Sequence, residues 1–128
     1  MNRSILLTAS IFGALAVVLG AFGAHALKQL IDPAALAIWT KGVEYQFYHT
    51  FALLFLSQLK SSKQLRLAHW FFTIGIVFFS GSLYLLATRT VTNLSFVNFV
   101  GPITPIGGLL LILGWLMLFL NALKVKNA

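Results

Sequence analysis

Cysteine is absent from the 128-residue chain, and acid is almost absent, with Asp32 and Glu44 its only two carboxylate side chains. Without cysteine there can be no disulfide, thiolate metal site or thiol nucleophile, and nothing in the sequence reports on redox compartment. Charged residues of either sign make up only 9% of the chain. A soluble domain carries roughly 25%, so this chain cannot cover its surface with polar groups. Also missing are a nucleophile–base motif, a phosphate-binding loop and a metalloprotease HExxH. There is no internal repeat of the kind that builds inverted-repeat transporters, and no low-complexity segment.

What the chain has instead is apolar length. Hydrophobic residues reach 59% and mean hydropathy is +0.93, so the chain reads as one integral membrane domain, residues 1–128. A formal charge of +7 would suggest nucleic acid in a soluble protein. Here the basic residues fall mostly between apolar runs, as topology signals do, and no nucleic-acid partner is expected.

Four stretches approach the roughly 20 residues that cross a hydrocarbon core: residues 4–26, 43–59, 67–88 and 103–122. The first could be read as a signal peptide ending at Ala24–Ala26, but its apolar part exceeds the roughly 7–15 residues of such a region. An uncleaved span is the preferred reading. With four spans, Arg3, Lys60, Lys63, Arg66, Lys124 and Lys126 share one side, and Lys28, Lys41 and Arg89 share the other with Asp32 and Glu44. The positive-inside rule makes the first side, and both termini, cytoplasmic. Trp39 and Trp70 suit interfacial positions, and His69 reads as interfacial too. In "IDPAALAIWTK" Asp32 fits an N-cap and Pro33 the first helical position. A short outer helix over Ala34–Trp39 is expected, lying in the outer interface or leading into the second span, with Gly42 marking a bend. The expected fold is a bundle of four transmembrane helices with this short helix after the first span.

Lipid gives helices no hydrophobic reason to associate, so small residues that admit close approach matter. Ala9, Gly13, Ala16, Gly20, Gly23 and Ala24 fall within about 100° on the first helix, and Gly107 and Gly114 align on the fourth, with Asn121 seven residues further on. These seams serve packing within one chain or a homo-oligomer interface; the first is preferred. Pro102 and Pro105 can both be housed at the start of the fourth helix, though Pro105 would break a helix that began earlier.

"GVEYQFYHTFALLFL" opens the second span with ionisable groups, which are costly at membrane depth and need protein or water partners. Given the topology, His25, the group Glu44, Gln46, Tyr48 and His49, the set Ser80, Ser82 and Tyr84, and Thr104 all fall in the outer half. Each also has a structural reading: an interfacial pair of Glu44 with Lys41 or Arg89, an interhelical hydrogen bond at His49, close packing at Ser80–Ser82. The functional reading is an outer polar pocket that binds a lipid, a small ligand or a membrane partner without catalysis. The alternative is a small oligomeric transporter or channel using Glu44 and His49. A haem- or metal-dependent enzyme using His25, His49 and Glu44 ranks third, because their spacing matches no ligand motif; no cofactor is expected.

The strings "GAFGAHAL", "YQFYHTFALL", "FFSGSLYLL" and "GPITPIGG" are spread along nearly the whole chain. In combination they resemble the YgdD/YwdK-like family of small multi-pass membrane proteins, the UPF0382 group (domain of unknown function 423). The departure from that pattern is a longer third connection, "TVTNLSFVNFV". The resemblance implies a bacterial cytoplasmic-membrane protein of about four helices; it brings no reaction, substrate or catalytic residue.

Overall fold

The computed structural model describes residues 1–126. Among these there is no strand, and five α-helices account for most of the chain: α1 (Arg3–Ala24), α2 (Pro33–Gln58), α3 (Lys63–Ala87), α4 (Arg89–Thr92) and α5 (Ile103–Lys124). Short 3-10 turns at Leu27–Gln29 and Ser95–Phe99 occupy the longer connections.

Side chains written into the sequence start the helices. Asn2 accepts the Ile5 N–H at 3.2 Å, Asp32 accepts that of Ala35 at 2.7 Å, and Ser62 accepts that of Leu65 at 3.1 Å. Each satisfies one of the amide donors that a helix start leaves orphaned. Pro33 takes the first position of α2, as expected. Pro105 lies within the first turn of α5, and the helix runs unbroken to Lys124. Gly42, by contrast, does not interrupt α2. The segment Ala34–Trp39 forms its first turns, and the helix continues through Gly42 for 26 residues in all, about 39 Å at 1.5 Å per residue.

The principal helix contacts follow chain order: α1 on α2, α2 on α3, α3 on α5. Neighbours run antiparallel. The start of α1 meets the end of α2 through Asn2 N–H and Ser57 O at 2.7 Å. The start of α3 meets the end of α5 through the Ser62 hydroxyl and Asn121 Oδ1 at 2.6 Å. From this end to the middle of the bundle, Ile5, Leu53, Leu56, Leu65, Phe72 and Leu111 form the main apolar core. Leu27, Trp39 and Ala87 make a second, smaller core at the other end.

The small seams face inward along most of their length. Ala9, Ala16 and Gly23 are buried, and Cβ atoms on Gly13 and Gly20 would touch Thr50 and Val43 of α2 at 3.4 Å. Only Ala24 departs, standing exposed at the end of α1. On α5, a Cβ on Gly114 would stand 2.5 Å from the Phe72 ring, and one on Gly107 would fall on the backbone of Phe79. Two aromatic residues near helix ends are packed inside the bundle. Trp39 is buried over Gly23 with its indole N–H donated to Leu19 O at 2.9 Å. His69 is buried against α1, with Nε2 3.4 Å from the Thr8 hydroxyl. The Thr8 hydroxyl also lies 3.1 Å from Ser4 O, one turn back in α1.

Among the described residues, three helical segments are long and apolar enough to cross a membrane: Arg3–Gln29, Lys63–Ala87 and Ile103–Lys124. Helix α2 is not one of them. Its length suffices, but Lys41, Glu44, Gln46, His49 and Gln58 dilute its hydropathy.

Candidate functional site

The polar residues singled out in sequence do not converge on one pocket; they divide among three interhelical junctions, an ion pair and a groove. Gln46 makes the first junction. It is 3% exposed, so both ends of its amide need partners. Nε2 donates to Phe12 O of α1 at 2.8 Å, and Oε1 accepts the Tyr84 hydroxyl of α3 at 2.7 Å. One side chain thus ties three helices. The Ser80 hydroxyl donates to Gly42 O at 2.7 Å and ties α3 to α2. Gly42 is what allows this approach, since a Cβ there would lie 2.7 Å from the Tyr84 ring. Ser82 and Thr104 hydroxyls meet at 2.6 Å between α3 and α5. His25 caps the end of α1 with an exposed side chain.

Glu44 pairs with Lys41 at 3.1 Å, one turn away on the exposed face of α2.

His49 lies deeper. Its Nδ1 is 2.7 Å from Tyr45 O, and a carbonyl can only accept, so Nδ1 carries the proton. Its Nε2 lies 3.0 Å from the Trp115 indole nitrogen, which can only donate. The imidazole is therefore neutral, with its tautomer set from both sides. No nitrogen is left over for a metal, and among the described residues no three His, Asp or Glu side chains converge on one.

Around this pair α2 and α5 stand apart. Tyr45, Tyr48 and His49 form one wall of a groove, Gly108, Leu111, Ile112 and Trp115 the other, and Phe79 of α3 its floor. The cavity measures about 550 Å³. Exposures of 54% at Tyr48 and 64% at Ile112 show that it opens to the outside of the bundle. A smaller cleft of about 210 Å³ lies between α1 and α2 beside Gly23 and Trp39. The groove differs in combining an apolar bed with tyrosine hydroxyls, which is how small-molecule sites are commonly built. Tyr48 and His49 were anticipated from sequence; Phe79, Gly108 and Trp115 were not. Trp115 carried a signal, because a tryptophan deep in an apolar span is away from the interface it favours and needs a partner for its N–H.

Residues 19–108 match the family described as "Protein of unknown function (DUF423)". A UPF0382 membrane protein of Staphylococcus epidermidis is 44% identical over 112 residues, covering 86% of this chain and 87% of the relative. The chain belongs to the UPF0382 family. Other UPF0382 relatives are the membrane protein YwdK of Bacillus subtilis and the inner membrane protein YgdD of Escherichia coli. YwdK is 41% identical over 86% of this chain and 88% of its own length. YgdD is 36% identical over 98% and 94%. No solved structure matches the chain. This UPF0382 chain is thus a bacterial-type membrane protein built from helices.

Proposed function

We propose that this UPF0382 protein is a non-catalytic, four-span protein of the bacterial cytoplasmic membrane that binds a lipid, with an acyl chain lying in the groove between α2 and α5. The observation that carries the reading is the groove itself: apolar, open at the side of the bundle, and tyrosine-lined. Lipid can enter it laterally without crossing water.

The fourth span is α2. Gln46, His49, Thr50 and Ser57 are all buried, so neighbouring helices screen the polar groups along its middle, while Lys41, Glu44 and Gln58 stand toward its two ends. The antiparallel order puts Arg3, Lys60, Lys63, Arg66, Lys124 and Lys126 at one end of the bundle. That end, with both termini, is cytoplasmic by the positive-inside rule. Single cysteines at Ser62 and Asn93 test this: an impermeant reagent added outside should label only the second, and the opposite pattern reverses the topology. A transport route through one copy has less support, since Glu44 is engaged by Lys41 and His49 by Tyr45 and Trp115.

Gly108→Leu is the test of the groove. A Cβ there meets the Phe79 ring at an ordinary 3.6 Å, so a longer side chain has space, and that space is the groove. The wild type should retain phospholipid through detergent exchange in native mass spectrometry. The variant should lose it by about tenfold, the equivalent of about 1.4 kcal/mol, at an unchanged melting temperature. Equal retention by both overturns the proposal.

A further inference from the structure

We propose that the groove selects a zwitterionic aminophospholipid, reading the headgroup with the Lys41–Glu44 pair: phosphate on the lysine, primary ammonium on the glutamate. This rests on the acyl-chain reading above and adds the chemistry at the mouth of the groove.

The placement follows from helix geometry. Positions 41, 45 and 48 are spaced four and three apart, and 44 and 48 four apart, so Lys41, Glu44, Tyr45 and Tyr48 share one stripe of α2. Lys41 lies about 10 Å above Tyr48 along the axis. The stripe therefore leads from an exposed ion pair down to two groove-lining phenols. Side chains on a helix lean toward its N-terminus, so both phenols lean toward Lys41. Neither phenol hydroxyl has a hydrogen-bond partner among the described residues, in contrast to Tyr84. The pair also borders an open depression of about 400 Å³ with Pro33, Leu36, Ala37 and Thr40, on the flank of α2 toward α1.

Charge complementarity selects the class. The pair presents one cation and one anion 3.1 Å apart, 57% and 40% exposed, and an exposed pair of this kind holds itself together only weakly. A phosphoethanolamine headgroup presents the matching anion and cation and can exchange with it. A choline headgroup carries its charge without an N–H and cannot hydrogen-bond Glu44. A glycerol headgroup brings no cation and sets its phosphate against the same carboxylate. The tyrosine hydroxyls can donate to phosphate or ester oxygens.

The experiment uses the full chain in nanodiscs holding equal ethanolamine, choline and glycerol phospholipids of one chain composition, with retained lipid identified by native mass spectrometry. The wild type should retain ethanolamine lipid at least about fivefold over each other class, close to 1 kcal/mol. Glu44→Gln should abolish the preference over choline, Lys41→Gln should lower retention of all three, and Lys41→Glu combined with Glu44→Lys should restore the ethanolamine preference. Retention that is sensitive to Gly108→Leu but indifferent to headgroup, or that favours choline or glycerol lipid, overturns this inference while the groove reading stands. No Gly108-sensitive retention of any lipid overturns both.

Discussion

Gly107 and Gly108 are adjacent in α5 and serve opposite ends. A Cβ on Gly107 would fall on the backbone of Phe79, whereas one on Gly108 meets only the Phe79 ring, at 3.6 Å. Rotation of about 100° per residue turns the first onto α3 and the second into the groove beside α2. One glycine lets two backbones touch; the other leaves volume unfilled. The same residue type thus seals one side of α5 and opens the other, and only the neighbour tells them apart.

The largest effect should come from breaking the sealed side. Gly107→Leu has no rotamer that avoids Phe79, since the obstruction is backbone and begins at Cβ. Overpacking typically costs about 1–3 kcal/mol, and a clash with an immovable backbone should lie at or above the upper end. Thermal unfolding in detergent should show severe loss of folded protein for Gly107→Leu beside near-normal behaviour for Gly108→Leu. Similar stabilities for the two would erase the distinction between contact and space.

A middle-sized effect should come from the three-helix tie at Gln46. Gln46→Leu leaves the half-buried Tyr84 hydroxyl without its acceptor, at a cost of about 1 kcal/mol. Tyr84→Phe in the same background removes the orphaned hydroxyl and should recover part of that loss. This partial rescue separates a hydrogen-bond effect from a packing effect; if the double variant is worse than Gln46→Leu alone, the bond is not the source of the stability.

Much of this fold was legible in sequence, because it rests on short-range rules. The Asp32–Pro33 start of α2, the small-residue face of α1 and the entry of Pro105 into a first turn each depend on a few adjacent residues. The sites depend on which helices adjoin, and here pattern misled. Glu44, Gln46 and His49 are close in sequence, yet they turn toward Lys41, toward α1 and α3, and toward Trp115 respectively. Assigning all to one outer pocket treated a shared depth as a shared wall. Gly42 drew notice because glycine weakens helices; α2 runs on through it, and its lack of a Cβ is used by Tyr84 and by the Ser80 hydroxyl. The groove was invisible because it is made by the separation of α2 and α5, and no motif in either helix encodes a gap.

The smallest stability effect should arise at the groove's own polar contact. The Trp115 indole donates to His49 Nε2 at 3.0 Å, and His49 passes its own N–H back to Tyr45 O within α2. This is the polar link observed across the open side, where the sealed side has backbone contact. Hydrogen bonds between membrane helices average only about 0.6 kcal/mol, because the separated groups find other partners. Trp115→Phe keeps an aromatic ring against Phe72, whose centroid lies 5.3 Å from that of the indole, and removes the donor. A double-mutant cycle with His49→Leu should therefore give a coupling of about 0.6 kcal/mol in detergent. Filling the groove with lipid should leave that value unchanged if His49 and Trp115 are wall, and diminish it if the occupant competes for the imidazole. A coupling near zero without lipid would mean that nothing polar joins α2 to α5, and that the two walls are held in place by α3 alone.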